Sequence, residues 1–357
     1  MLTRKNLTRA GAAAVLALGL GALGLGALRL GATTASAEEV TSIAVLVPEQ
    51  GTDYGWNQQG VDAARAVAEA YGLEFMPAEG LGYRDVRTTL RELAEDGASL
   101  MIAHSSGYNT AAPEIAVETG VPVAIVNSPD KLKPGLVADY TLSGHEGSYL
   151  AGIMAAKLTR TRTVGIVVSG EPPSWNSQSA GFAQGVKAGN ADIQVVYAVI
   201  GPAAYADAAG GRRVTESVIA VGADIIFGQG NGSSFGMIEA VENNKAKDGG
   251  PIWFIDVIGD KSSLDRGHLL SSVMWNMIPV YSAMVEDLRA GEFGKNRYKI
   301  GLSDDSVKLL KTDHIPPEIW DEIMALRDQI VDGSLTIEPV FDAVEVRKLM
   351  NSVDAAE

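Results

Sequence analysis

Short apolar runs rich in β-branched residues alternate with stretches of helical period along most of the chain. The first run covers residues 42–47, and residues 56–71 after it place their apolar side chains on one helical face. A second run at 100–103 precedes another predicted helix at 111–119. Continuous apolar strands separated by helices are typical of parallel strands covered on both faces. The sequence therefore predicts an α/β fold built on parallel sheets.

This alternation occurs twice along the sequence. After a helix predicted over residues 146–158, a second series starts with a strand at 163–168 and continues to strands at 223–227 and 252–256. The chain has 357 residues, of which 46% are hydrophobic, and this length exceeds the size at which one core stops growing. We therefore predict two Rossmann-like lobes.

The domain boundaries follow from where the strands are assigned. A strand at 269–274 and the helix after it, at 279–290, are assigned to the first lobe, because the chain of a two-lobed binding fold crosses back. The predicted units are a leader at 1–37, an N-terminal lobe at 38–142 plus 257–293, a C-terminal lobe at 143–256 plus 294–335, and a tail at 336–357.

The N-terminal segment has the pattern of a secretory signal peptide. Arg4, Lys5 and Arg9 precede an Ala/Leu/Gly run at 11–28, and small residues follow up to Ala37. We predict cleavage after Ala37 and export to the periplasm. The alternative is an uncleaved anchor, but the Ala/Gly content makes the run only weakly apolar for a membrane span.

Charge and residue counts exclude several functions. The net charge of −15 repels nucleic acid and anionic lipid, so neither is a predicted partner, although the same charge also favours solubility. No cysteine is present, which removes disulfides, thiolate metal sites and a lipid-anchored cysteine. The four histidines, at 104, 145, 268 and 314, show no metal-ligand spacing, so no metal or other cofactor is predicted.

The loop after the first strand contains the first candidate binding residues. Ligands of parallel α/β sheets lie beyond the carboxyl ends of the strands, and this loop carries Asp53, Tyr54, Trp56 and Asn57 at a helix start. Two aromatics, a carboxylate and an amide can stack on a flat ring and bond to its edge. An equally good interpretation makes Asp53 a helix cap and Trp56 a packing residue.

Two further loops of the first series and one of the second add small polar groups. Ser105 and Ser106 stand at a helix start, where hydroxyls and amides favour polar ligand groups. The segment 127–130 fits the same role, but turn chemistry explains it as well. Gly230 and Asn231 lie in a glycine-rich segment that matches a dinucleotide fingerprint only weakly and favours close backbone approach to a small ligand.

Two candidates of the second series are an aromatic and an acid. Trp175 follows a strand of this series, and Asp256 ends the predicted strand at 252–256. Asp256 is expected to point into the cleft and accept hydrogen bonds from hydroxyls, or else to cap a loop amide. No G-x-S-x-G, paired catalytic carboxylates or Walker loop is present, so we predict a binding protein rather than an enzyme.

Several segments resemble the BMP family of ABC-transporter substrate-binding proteins, also called purine-nucleoside-receptor-like. The segment GHEGSYLAG at 144–152 is similar to the family's E-G-S-Y-L-A-G helix start. Four shorter segments support the resemblance: GWNQ at 55–58, FGQGNG at 227–232, Ile255-Asp256 and Ser272-Val273. The resemblance extends over about residues 42–303.

The resemblance implies a type I periplasmic-binding-protein fold whose lobes are joined by a three-strand hinge and close around a small-molecule ligand. It implies that Trp56 stacks on a base, that Asn57 bonds to the base edge and that Asp256 accepts from ribose hydroxyls. Partners would be the ABC permease subunits of the inner membrane, and the chain is expected to act as a monomer.

The chain departs from the family pattern at two positions. Ile258 replaces the second acid of a D-x-D segment, and Trp275 occupies the position of a lysine. An indole in place of a charged donor favours a more apolar or purely heteroaromatic ligand over a ribose-containing one. The site prediction therefore includes Trp175 and Trp275 as ring partners. Alternatives are a ligand-sensing module for a membrane receptor and an exported hydrolase using Asp53 or Asp256.

Overall fold

The computed structural model describes residues 39–350. The predicted signal peptide with its cleavage position after Ala37, and the polar end at 351–357, lie outside the described residues. Between residues 39 and 350, no helix is both long and apolar enough to cross a membrane.

The described chain alternates strands and helices throughout. The strands are β1 (Ser42–Leu46), β2 (Glu74–Ala78), β3 (Leu100–Ala103), β4 (Val123–Val126), β5 (Val137–Leu142), β6 (Thr163–Val168), β7 (Gln194–Val199), β8 (Ile225–Gln229), β9 (Trp253–Ile258), β10 (Leu269–Trp275), β11 (Tyr298–Ile300) and β12 (Val307–Leu309). The helices are α1 (Trp56–Tyr71), α2 (Arg87–Glu95), α3 (Ala111–Thr119), α4 (Gly144–Leu158), α5 (Pro173–Gly189), α6 (Ala208–Val221), α7 (Ser234–Asn243), α8 (Ile278–Ala290), α9 (Pro317–Val331) and α10 (Ala343–Lys348).

The strands form two six-stranded sheets with equivalent strand orders. The first has the order β2-β1-β3-β4-β5-β11, and the second has β7-β6-β8-β9-β10-β12. All neighbours are parallel except the pair β10 and β12. Central strands such as β1, β3 and β6 are buried along their whole length, as the apolar runs require of strands covered by helices on both faces. The predicted α/β fold with two parallel sheets is confirmed.

Two strand assignments were wrong. β10 was placed in the first lobe but pairs with β9 of the second sheet, with Ser272 opposite Asp256. β11 was placed in the second lobe but pairs with β5, with Tyr298 opposite Tyr140. Apolar periodicity does not distinguish between two sheet edges that both accept a parallel strand. The helix α8 between them does pack against α1 of the first lobe, where Tyr71 donates a hydrogen bond to Glu286.

The chain passes between the lobes three times, after β5, after β10 and after β11. Backbone hydrogen bonds join the three crossings: the Ser143 amide donates to the Ile300 carbonyl over 3.0 Å, and the Asn276 amide donates to the Ser306 carbonyl over 2.7 Å. The Ser306 hydroxyl also accepts from the Gly301 amide at 2.9 Å. The crossings therefore lie side by side, as a hinge between two lobes requires.

The predicted tail at 336–357 packs on the second lobe over its described part. The Asn176 side chain donates to the Phe341 carbonyl over 2.8 Å, and Val346 of α10 is fully buried. The imidazole of His145 lies 3.2 Å from the Ile337 carbonyl. The sequence did not predict α10, because its six residues are too few for a clear helical period.

Helices α4 and α5 approach each other backbone to backbone. A Cβ atom at Gly152 would lie 2.1 Å from the Phe182 carbonyl oxygen, and one at Gly185 would lie 2.0 Å from that of Tyr149. Side chains cannot be accommodated at these distances, so glycine is required for the contact. This close contact joins the first helix of the second lobe firmly to its neighbour.

Gly185→Ala is expected to lower the free energy of unfolding by about 3 kcal/mol, because the added methyl group forces the two helices apart. Urea unfolding followed by circular dichroism measures the change. Gly201→Ala is the control, since a Cβ atom there would meet only Ala204 Cβ at 3.7 Å. Equal stability of the two variants would contradict the close-contact interpretation.

Candidate functional site

A cavity of about 510 Å³, partly open to solvent, lies between the lobes beyond the carboxyl ends of both sheets. Six predicted site residues line it: Trp56, Ser105, Ser106, Trp175, Asn231 and Trp275. Eight further residues complete the wall: Pro48, Tyr83, Val126, Asn127, Leu142, Pro172, Ser174 and Tyr205.

The wall of this cavity is aromatic and uncharged. Five of its residues are Trp or Tyr, and of the residues described as lining it none is Asp, Glu, Lys or Arg. Across residues 39–350, no group of three or more acidic, histidine or cysteine side chains is arranged to hold a metal ion. The wall is therefore suited to a neutral, flat ligand, which loses little hydration energy on entering an apolar site.

Trp56, the first residue of α1, is held in a defined orientation. Its ring stacks on the imidazole of His104 with 3.6 Å between centroids and 12° between planes. Its indole N–H donates to the His104 carbonyl over 2.8 Å. Trp275 meets the Trp56 ring edge-to-face at 6.0 Å. These contacts fix the indole before any ligand enters, which lowers the ordering cost of binding.

His104 lies fully buried beneath Trp56. Its Nε2 is 2.9 Å from the Trp56 carbonyl oxygen, which can only accept, so Nε2 carries the proton. Its Nδ1, which then has one lone pair with which to accept, lies 2.7 Å from the hydroxyls of both Tyr140 and Tyr281. Burial lowers the pKa of His104 to about 3, so the ring is neutral at neutral pH. Sequence reasoning missed this role, because a single histidine after a strand gives no signal.

The rim of the cavity contains a tyrosine from each lobe. Tyr83 of the first lobe and Tyr205 of the second have ring centroids 5.3 Å apart. Trp175 meets Tyr205 edge-to-face at 5.2 Å and is almost fully buried. Both tyrosines follow strands, β2 and β7, and ligand-binding residues are expected beyond the carboxyl ends of parallel strands. The sequence prediction missed them because they lie several residues beyond the strand ends.

Two asparagines present amide groups to the cavity from left-handed backbone. Asn127 has φ of 51° and Asn231 has φ of 47°, a conformation that asparagine tolerates better than most residues. The Asn127 side-chain oxygen accepts from the Leu142 amide at 3.0 Å, and the Asn231 oxygen accepts from the Trp56 amide at 3.1 Å. Each side-chain NH₂ group remains as a donor for ligand acceptors. The Asn231 bond also joins the two lobes.

Asp53 and Asn57 do not line the cavity. The buried carboxylate of Asp53 accepts from the amides of Gly55, Asn57 and Gln58 at 2.9, 3.2 and 3.0 Å, and from the Asn57 side chain at 2.7 Å. The Asn57 side-chain oxygen accepts from the Glu49 amide at 3.2 Å. Both side chains are used within the loop, where Asp53 bonds to the first-turn amides of α1 although the N-cap residue itself is Gly55.

Asp256 also lies off the cavity wall. β9 continues to Ile258, so Asp256 is inside the strand rather than at its end, which corrects the expected boundary. Its carboxylate is fully buried, pairs with the Lys261 ammonium and accepts from the Val257 amide at 2.8 Å. Burial raises the pKa of Asp256, and Lys261 opposes this shift.

The remaining predicted residues, Tyr54 and Gly230, lie beside the cavity. The Tyr54 ring packs edge-to-face on Phe235 at 6.1 Å. A Cβ atom at Gly230 would lie 2.5 Å from the Ser234 amide, so this glycine allows close backbone packing. Neither residue forms part of the wall.

Comparison with known proteins identifies the family. A family model described as "ABC transporter substrate-binding protein PnrA-like", named Bmp, matches residues 40–338. The chain belongs to the Bmp family. The predicted resemblance is confirmed, and the Bmp family is one of solute-binding proteins rather than enzymes, as predicted.

Individual relatives of this Bmp protein are distant. The chain is 30% identical over 207 residues to the CD4+ T-cell-stimulating antigen of Listeria monocytogenes, a match that covers 54% of this chain and spans 57% of the antigen. It is 24% identical over 213 residues to the ABC transporter nucleoside-binding protein BmpA of Lactococcus lactis, with 56% and 60% covered.

A solved structure of an ABC transporter solute-binding protein from Aeropyrum pernix aligns with a TM-score of 0.74 at 18% identity. It covers 86% of this chain and 96% of the other. At this identity the similarity establishes the fold, which is the predicted type I periplasmic-binding-protein fold.

The buried neutral His104 predicts a specific pH dependence. The unfolded chain binds a proton at this residue below about pH 6.5, whereas the folded chain does not until about pH 3, so stability falls as pH decreases between these values. His104→Gln is expected to remove a slope of about 1.4 kcal/mol per pH unit from the unfolding free energy between pH 6 and 4.

Urea unfolding at several pH values measures this slope. His314→Gln, a change outside the cavity, serves as the control. If the wild type and His104→Gln lose stability in parallel as the pH falls, the imidazole is not kept neutral by burial.

Proposed function

We propose that this Bmp-family protein is the periplasmic solute-binding component of an ABC importer, and that its two lobes close on a small neutral heteroaromatic ligand such as a purine base or nucleoside. The observation that carries the proposal is the uncharged aromatic cavity between the lobes, in which Trp56 is held by its stacking on His104 and which two asparagines line.

A flat ring matches both the apolar and the polar parts of this wall. Trp56 and Trp175 offer ring surfaces from opposite lobes, and aromatic stacking adds to the energy of burial. The amide groups of Asn127 and Asn231 supply donors for ring nitrogens or carbonyls. The Lactococcus relative is named as nucleoside-binding, which supports a purine-like ligand for this chain.

Closure is supported by the contacts that join the lobes around the cavity. Asn231 of the second lobe bonds to the Trp56 amide of the first, and the Tyr83 and Tyr205 rings meet at the rim. Separation of the lobes breaks these contacts, so a ligand that touches both walls favours the closed form. A permease would then recognise the closed form.

Location and partners are part of the same proposal. The N-terminal basic and apolar segments favour export, cleavage after Ala37 and a periplasmic location. Permease subunits of the inner membrane would be the partners, with the binding protein acting as a monomer. The negative net charge of the chain disfavours nucleic acid as a partner.

Trp56→Ala is expected to weaken ligand binding by about 1–3 kcal/mol, because the ligand loses a stacking surface. The measurement is calorimetric titration of protein unfolded and refolded to remove bound solutes, with adenine, adenosine, hypoxanthine and guanosine as probes. Trp320→Ala is the matched control, since this tryptophan lies on α9 outside the cavity wall.

Mass spectrometry of solutes that co-purify with the native protein gives an independent result. A purine or other neutral heteroaromatic compound supports the proposed ligand class. The proposal fails if none of the four probes binds and the co-purified solute is charged or aliphatic.

A further inference from the structure

A further contact between the lobes lies outside the cavity, at Lys261. This residue follows β9 in the second lobe, and its ammonium donates to the Tyr54 carbonyl of the first lobe over 2.9 Å. The Lys261 side chain is only 1% exposed, and its ion-pair partner Asp256 belongs to its own lobe. None of these three residues lines the ligand cavity.

The backbone conformation at Tyr54 and at residues 258–259 allows the two lobes to come this close. A Cβ atom at Gly259 would lie 2.0 Å from the Tyr54 carbonyl oxygen, so only glycine permits the contact. Tyr54 has φ of 51°, and the β-branched Ile258 has φ of 72°, which is a rare and strained conformation. Such strain persists only where surrounding contacts hold it, and here they include both the interlobe bond of Lys261 and, within the second lobe, the hydrogen bond that the Ser272 hydroxyl donates to the Gly259 carbonyl over 2.7 Å.

The two partners of the Lys261 ammonium lie in different lobes, so separation of the lobes affects its two contacts differently. Separation of the lobes breaks the bond to Tyr54 but leaves Lys261 and Asp256 together, because both belong to the second lobe. The ion pair therefore neutralises Asp256 in either state, whereas the bond to the carbonyl exists only in the closed state. A hydrogen bond to a charged donor in a buried position is stronger than a neutral one.

We propose that Lys261 is an interlobe latch: a positioning residue that stabilises the closed form without contacting the ligand. This inference rests on the lobe closure of the proposed function. Because the latch lies off the cavity wall, its loss weakens the binding of every ligand by the same factor, whereas a change in the wall acts on ligands unequally.

The lobe distance can be measured directly in this protein. The chain has no cysteine, so Arg84→Cys and Ala206→Cys place two spin labels uniquely, one on each rim beside Tyr83 and Tyr205. Pulsed electron–electron double resonance measures the distribution of distances between the two labels. In ligand-free protein, this distribution gives the populations of the closed and open forms. Lys261→Met is expected to lower the closed-to-open ratio by about tenfold, the effect of one charged hydrogen bond.

Two further variants separate the latch from general damage. Lys261→Met combined with Asp256→Asn avoids an unpaired buried carboxylate and should show the same loss of closed form. Lys247→Met removes a similar bond, to the Val221 carbonyl at 2.7 Å, but within one lobe, and should leave the ratio unchanged. The latch is overturned if both Lys261 variants match Lys247→Met.

Binding of adenine and adenosine to the same variants completes the test. A loss of affinity by one common factor supports the latch, whereas a loss confined to one compound places Lys261 at the ligand and overturns it. If no purine changes the distance between the labels in the wild type, the proposal that purines close the lobes fails. The proposed role of Lys261 is tested separately, by the populations of closed and open forms without ligand.

Discussion

The carboxylate of Asp53 fixes the loop on which both halves of the site depend. Its hydrogen bonds to three amides and to the Asn57 side chain set the backbone from Asp53 to Gln58 in one conformation. That conformation places the Trp56 indole on the cavity wall and turns the Tyr54 carbonyl toward the second lobe. The sequence suggested that the Asp53 carboxylate could bind a ligand, but its role is to hold the loop. Buried backbone N–H groups need an acceptor, and this carboxylate supplies it.

Below this loop, hydrogen bonds between buried polar groups extend into the core of the first lobe. Neutral His104 links the Trp56 carbonyl to the Tyr140 and Tyr281 hydroxyls, and its ring supports the Trp56 indole from beneath. Because Tyr281 belongs to α8, the segment that returns from the second lobe is connected to the ring that faces the cavity. Trp56 on the cavity wall and helix α8 thus share one hydrogen-bonded network.

Much of this architecture was predictable because buried parallel strands leave a strong apolar pattern and their carboxyl ends mark the ligand side. This rule led to Trp56, Trp175 and Asn231. It did not predict the partner of Asp256, because Lys261 is brought to it by the turn after β9, nor the sheet to which β10 belongs, because either edge accepts that strand. Contacts of this kind are set by tertiary packing rather than by local periodicity.

The uncharged wall has a consequence for the conditions under which such a cleft works. Binding sites that rely on opposite charges weaken as dissolved salt screens them over a distance of about 10 Å at 0.1 M. A neutral ring held by stacking and amide donors exchanges no net charge with its surroundings. The neutral ring ligand proposed for this cleft would therefore bind with nearly the same strength in dilute and in saline media.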